Sequence, residues 1–218
     1  MIEFTLWDML RHLATGAGWT VLLSVIAFTL GGVAGGLVLV ARISPRRGLS
    51  LPAKAYIEFF QDTPLLMQLF LIFFGLGLAG WDISPLLTAA IGLTLFTSAY
   101  LAEIWRGCVE SIPPQQWEAG ECLALSRWQQ IRFVILPQTL RIAIPPTVGF
   151  SVQVVKGTAV ASIIGFMEIT KTGSMIANAT FQPLLVYGLV AAGYFIICYP
   201  LSALARRAER RFHATCRR

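Results

Sequence analysis

Residues 111–146 read SIPPQQWEAGECLALSRWQQIRFVILPQTLRIAIPP, a polar, proline-bounded stretch set between two long apolar ones. Pro113 and Pro114 can open a helix, because a missing N–H is harmless in a first turn. From Gln115 to Leu125 the apolar residues Trp117, Cys122, Leu123 and Leu125 interleave with the acids Glu118 and Glu121. Ser126 then restarts helix. Its hydroxyl caps the next turn, and Gln129 reaches back in a capping box. The pattern predicts a short helix, a sharp corner and a second helix leading into the membrane near Pro137. Two readings fit: a docking element that projects into water, or an amphipathic helix lying on lipid headgroups. The acidic polar face leaves both open.

Everything around this interval is apolar. The 218 residues are 56% hydrophobic and only 13% charged, with a mean hydropathy of +0.69. A soluble domain of this size carries about 25% charged residues, so the excess describes lipid-facing surface. A crossing helix needs roughly 20 apolar residues. Five stretches qualify: Trp19 to Ala41, Tyr56 to Leu78, Ile83 to Trp105, Ile142 to Phe166 and Leu184 to Leu204. The first carries Gly31, Gly32, Gly35 and Gly36, two overlapping GxxxG patterns that permit close helix approach. Asp62 and Lys156 interrupt the second and fourth. No repeat or linker divides the chain, which reads as one all-α membrane domain over residues 1–218. Met1 to Gly18 holds Glu3 and Asp8 and lacks a basic leader, so no cleavable signal peptide is expected there. Cys108, Cys122, Cys198 and Cys216 show no metal or disulfide spacing and read as free thiols or apolar fillers.

Basic residues set the expected orientation. Arg42, Arg46, Arg47 and Lys54 lie in the first connection; Arg106, Arg127, Arg132 and Arg141 lie in the third. The C-terminal tail adds Arg206, Arg207, Arg210, Arg211, Arg217 and Arg218. Against these, the opposite side has only Arg11 and Lys171. The N-terminus is therefore expected outside, and both the C-terminus and the 111–146 interval in the cytoplasm. Topology and anionic lipid explain the net charge of +6, so nucleic acid is not an expected partner.

The interval resembles a known family. Glu118-Ala119, followed by Leu123, Ser126 and Ile135-Leu136-Pro137, is similar to the EAA motif of ABC-importer permeases, and Pro137-Gln138 with Arg141 and Pro145 is similar to the polar amino-acid subgroup. Further matches follow in order along the chain: Thr20-Val21-Leu22-Leu23-Ser24, Asp62-Thr63-Pro64-Leu65-Leu66 with Gln68 and Phe70, Ser98-Ala99-Tyr100 with Glu103-Ile104-Trp105-Arg106-Gly107, and Lys156-Gly157-Thr158. The resemblance implies a type I ABC importer permease fold: five transmembrane helices with a cytoplasmic coupling helix in the region of about 111–137. It implies a bacterial inner-membrane protein that pairs with a second permease copy or a paralogue. A dimer of ATPase subunits, a periplasmic amino-acid-binding protein and an amino-acid substrate complete the implied assembly. The coupling residues it implies are Trp117, Glu118, Ala119, Gly120, Leu123, Ala124 and Ser126. The chain has no GxxxxGK[ST] phosphate loop; ATP and magnesium are expected on the partner, with no cofactor in this chain. Two departures stand out. Relatives often carry Ala and Gly where this chain has Gly120 and Ala124, and many carry Arg-Gly where it has Gln61-Asp62. The second departure leaves the charge class of the substrate open.

Ionisable groups within spans invite functional readings, because a lipid-facing charge is costly. Lys156, followed by Gly157-Thr158 where a helix can loosen, either lines a translocation path near a substrate carboxylate or pairs structurally with Glu103 or Asp62. Glu103 and Arg106 read as an i,i+3 pair. Glu58, Gln61, Asp62 and Thr63 face either headgroups or the path. Glu168 and Lys171, in a short connection, read as solvated, with a binding-protein contact as the alternative. A stand-alone secondary transporter or channel using Lys156 and Glu103 is the competing function, though it leaves the capped corner unexplained. An intramembrane enzyme has no visible basis: His12 and His213 lie at opposite ends, with no metal cluster or triad.

Overall fold

The computed structural model describes residues 5–216, with side chains to residue 210, and is all helical within them. Glu3, Arg217 and Arg218 lie outside the described residues, as do the side chains of Arg211, His213 and Cys216. Helix α1 (Leu6–Arg42) starts well before the predicted first span, at a capping box between Thr5 and Asp8. It runs along α4 (Pro85–Glu110), where Leu23 and Ala27 meet Leu93 and Leu101 in the main core. Helix α7 (Leu136–Gly157) closes that core with Phe150 and Val154. Its indole contact, Trp105 Nε1 to Thr147 Oγ1 at 2.9 Å, ties α4 to α7. A second core gathers Met9 and Leu13 of α1, Ile169 and Ile176 of α8 (Ile169–Thr180), and Val186 and Val190 of α9 (Pro183–Cys216).

Two predicted spans need correction. The stretch from Tyr56 to Leu78 is not one straight helix. It is α2 (Arg47–Asp62) and α3 (Leu65–Leu78), bent by 103° at Thr63-Pro64. Proline pushes its predecessor out of the helical region, and Thr63 is extended at φ −102°, ψ 138°. The fourth span begins earlier than Ile142 and stops short of Phe166: α7 ends at Gly157 and tightens into a 3₁₀ turn over Thr158–Ser162. Among the described residues, four helical stretches are long and apolar enough to cross a membrane, and the bent pair makes a fifth if counted as one.

Glu168 also departs from its expected place. Far from being solvated, it is fully buried. One carboxylate oxygen accepts from the backbone N–H of Lys171 at 2.8 Å; the other accepts from Thr170 N–H at 2.9 Å and Tyr194 O–H at 2.8 Å. The acid thus caps α8 and pins it to α9. Thr20 of α1 joins the same knot by accepting from Ile169 N–H at 3.3 Å. Lys171 is half-buried beside it. Hydrogen bonds to a charged group each contribute about 1.5–3 kcal/mol, and Glu168→Leu would strand three half-buried donors at once. That substitution is expected to destabilise the protein by at least about 3 kcal/mol, on the scale of removing a buried charge network. Thermal unfolding in detergent checks it: an unchanged midpoint would show that the cap contributes little.

Candidate functional site

The corner forms as its residues dictate. Helix α5 (Pro114–Cys122) opens with a proline in its first turn, and Ser126 caps the short α6 (Arg127–Gln129) in the expected box with Gln129. Ser126 N–H donates to Gln129 Oε1 at 2.8 Å, and Gln129 N–H to Ser126 Oγ at 3.4 Å. The reversal between them is Ala124, at a left-handed φ of 53°. A wider π-helical turn over Gln130–Ile135 then feeds α7, which carries Pro137 in its first turn.

Gly120 and Ala124 explain the exchanged small residues. A Cβ at position 120 would lie 2.9 Å from Gln130 Cγ, so any larger residue there would make the Gln130 side chain shift. Gln130, buried there, donates to Leu125 O at 3.2 Å and holds the corner shut. The alanine at 124 is less favourable, since a left-handed L-residue costs roughly 1–2 kcal/mol. Part of that is returned as unfolded-chain entropy when glycine replaces it. Ala124→Gly is therefore expected to stabilise the corner by up to about 1 kcal/mol. Slower hydrogen exchange at Leu125 N–H, which donates to Gly120 O, is the measurement; faster exchange would contradict it.

Chemically the corner presents acid and exposed apolar surface. Glu118 and Ala119 are exposed, Trp117 is half-buried with the Arg127 guanidinium 5.9 Å from its ring centroid, and Leu123 is 74% exposed. Trp117, Glu118 and Glu121 form one wall of a groove of about 450 Å³. Val109 and Glu110, from the end of α4, form another.

Of the sequence-derived path candidates, the Lys156–Thr158 stretch lies beside the α2–α3 break, where a Cβ at Gly157 would stand 3.4 Å from Leu65 Cδ2. Glu103 is engaged by Arg106 in a two-pronged pair, at 2.8 Å and 2.6 Å, and Arg106 also pairs with Glu110. Glu58 pairs with Lys54 at 3.4 Å. Lys156 is exposed and has no ion-pair partner among the described residues, so neither Glu103 nor Asp62 neutralises it. Thr158 is fully buried, its hydroxyl donating to Val155 O at 2.7 Å. Gln61, Asp62 and Thr63 all sit at the α2–α3 break, where Asp62 is exposed.

Gln68 organises that break, a role its place in a motif did not predict. Its side-chain Nε2 donates to Phe60 O and Thr63 O, each at 3.0 Å, and lies 2.9 Å from Thr63 Oγ1. Two of those partners are carbonyls, which only accept, so the amide orientation is settled by its surroundings. The clamp satisfies carbonyls that the break releases from the α2 ladder.

Residues 27–214 match the family described as the binding-protein-dependent transport system inner membrane component. The chain belongs to this family. It is 34% identical to the probable amino-acid ABC transporter permease protein YckA of Bacillus subtilis over 201 residues, covering 92% of this chain and 89% of that one. With the glutamine transport system permease protein GlnP of Escherichia coli it shares 37% over 208 residues, covering 94% and 95%. The crystal structure of an amino acid ABC transporter with histidines superposes with a TM-score of 0.90 at 30% identity, over 96% of this chain and all (100%) of that one. A multi-pass membrane transport subunit is thus the frame in which the corner and the break act.

Proposed function

We propose that this chain is the permease subunit of an ABC importer for a polar amino acid, driven by a separate ATPase. The observation that carries the reading is the corner: the short helix α5, turned sharply into the Ser126-capped α6, with Glu118, Ala119 and Leu123 exposed and serving no packing need within the chain. A projecting helix of this kind suits a groove on a moving partner, so closure of an ATPase dimer on ATP and magnesium reaches the spans through α5. Trp117, Gly120, Ala124 and Ser126 keep the element in shape; Glu118 and Leu123 meet the partner.

Membership of the family and the similarity to YckA and GlnP support the cargo class. The basic residues support an N-terminus outside and a C-terminus inside, which puts α5 in the cytoplasm. A second permease copy or a paralogue completes the pathway, and a periplasmic binding protein delivers the amino acid. The stand-alone transporter reading loses ground because Glu103, its proton- or ion-coupling acid, is held by Arg106.

Co-purification with the cognate ATPase, followed by vanadate-sensitive uptake in proteoliposomes, tests the proposal. Labelled glutamine, cystine, histidine and arginine serve as the panel, each supplied with the cognate binding protein. Uptake by this chain without an ATPase would overturn it.

A further inference from the structure

Helix α9 is longer than its crossing needs. Its apolar stretch from Leu184 to Leu204 covers about 30 Å at 1.5 Å per residue, the thickness of a hydrocarbon core. The chain stays helical beyond that stretch, through Arg206, Arg207, Glu209 and Arg210. A headgroup layer is about 5–7 Å deep, or about four helical residues. Arg206 and Arg207 therefore fall at its level. Helical side chains lean toward the N-terminus, which brings Arg210 back toward the same layer. All three arginines are exposed, and none forms an ion pair among the described residues.

The side of α9 on which they stand gives these charges meaning. Helical periodicity puts Tyr199, Arg206 and Arg210 within about 40° of one another, and Arg207 continues the line of Ile196. Above the arginines that side is apolar and uncovered: Phe195, Ile196 and Tyr199 are all exposed, with the Phe195 and Tyr199 rings stacked at 5.4 Å. The buried Val186, Val190 and Cys198 lie on the opposite side, and Glu209 falls to one flank of the stripe. The most apolar part of α9 is also the least buried among the four crossing helices. A second copy seated on this face across a two-fold axis along the membrane normal would bring identical residues to identical depth. Arginine would then meet arginine. An anionic phospholipid matches both halves of the stripe, with acyl chain on the rings and phosphate among the guanidinium groups.

We propose that this face of α9 is a binding site for an anionic phospholipid. Arg206, Arg207 and Arg210 hold its phosphate, and Phe195, Ile196 and Tyr199 hold the upper part of an acyl chain. The three cations converge because Arg206 and Arg207 stand four and three residues before Arg210, the spacings at which helical side chains are neighbours. The lipid fixes the depth at which α9 leaves the membrane, and with it the α8–α9 knot at the other end of the helix. The site needs neither the cargo nor the ATPase of the importer reading.

Photolabelling tests the site in the complex captured through this chain and returned to bilayers. The bilayers contain phosphatidylglycerol or phosphatidylcholine at equal mole fraction, each with a diazirine in its acyl chain. One basic residue near an anionic surface raises binding about fivefold, so labelling of Phe195–Tyr199 by phosphatidylglycerol is expected to exceed that by phosphatidylcholine at least about fivefold. Val25 and Leu30, exposed on α1, serve as the internal reference. Replacing Arg206, Arg207 and Arg210 together by Gln is expected to bring the ratio close to that reference, with the melting midpoint in detergent unchanged. Should the triple variant not fold, each single Arg→Gln variant is expected to lower the ratio at least about twofold. Equal labelling of the wild type by the two lipids overturns the site, as does a ratio that the substitutions leave unchanged. Labelling by neither lipid would mean that protein covers this face, and loss of a co-purifying subunit with the lipid ratio intact would make the arginines a contact with that subunit; both overturn the lipid site.

Discussion

Glu118→Lys is expected to leave the complex assembled enough to hydrolyse ATP while amino-acid uptake falls at least about 30-fold, a loss equivalent to about 2 kcal/mol of coupling. Glu118 is exposed and makes no hydrogen bond or ion pair among the described residues, so reversing its charge removes nothing from the fold. What changes is the groove. Glu110, Glu118 and Glu121 line it together, with Trp117 as its apolar wall. Glu110 is already paired with Arg106, so Glu118 and Glu121 are the acids left to a partner; a side chain seated between them carries the opposite charge, and a lysine at 118 repels it. Loss of one partner from a desolvated charge pair costs about 2–5 kcal/mol, whereas a rim charge moves affinity far less. The uptake-to-hydrolysis ratio in proteoliposomes distinguishes these cases. An unchanged ratio would remove Glu118 from the coupling contact. A fall in both rates together with loss of co-purification would make it an assembly contact instead.

The corner was legible in the sequence because its signals are local. Pro114 at a helix start and Ser126 with Gln129 are decided within a few residues, and the structure repeats them. The break was written more faintly. Thr63-Pro64 punctuates an apolar run, but hydropathy averaged over a span length does not register a bend, and α2 and α3 add up to a single crossing in composition. Gln68 stood out only as a motif residue, since its role depends on carbonyls that a straight helix would not release. Glu168 was misread for a different reason. A charge in a short connection is ordinarily solvated, and nothing near it in the sequence announces Tyr194, which bonds it from α9. Ala124 shows the limit from the other side: the corner was expected, but its left-handed residue carries no glycine to mark it.

The glycines of α1 lead to the second large effect. Their two overlapping GxxxG patterns are equivalent in sequence and unequal in space. A Cβ at Gly35 would stand 2.8 Å from Ser98 O, and one at Gly31 would stand 2.7 Å from Thr97 Cβ. At Gly32 and Gly36 the nearest atoms are side-chain tips 4.0 Å and 3.9 Å away. Gly35→Val therefore presses a branched side chain against the backbone of α4, which cannot swing aside as a rotamer does. Overpacking of this kind costs about 1–3 kcal/mol where neighbours can adjust, and a backbone neighbour puts Gly35 at the upper end. Gly36→Ala meets only ordinary contact and serves as the control. The expected result is a lowered melting midpoint and reduced yield of folded complex for Gly35→Val, with Gly36→Ala close to wild type. Equal midpoints for the two would show that the α1–α4 seam yields without cost. The seam matters beyond stability because α4 connects the two candidate sites. Its middle faces the break through Gly92 and Leu95, and its end supplies Glu110 to the docking groove. Helix α1 packs closely on α4 at Gly31 and Gly35, so a bulkier residue there displaces α4 between the two. Any Gly35→Val complex that still folds is thus expected to hydrolyse ATP with a lower uptake per ATP than Gly36→Ala, measured in the same proteoliposomes.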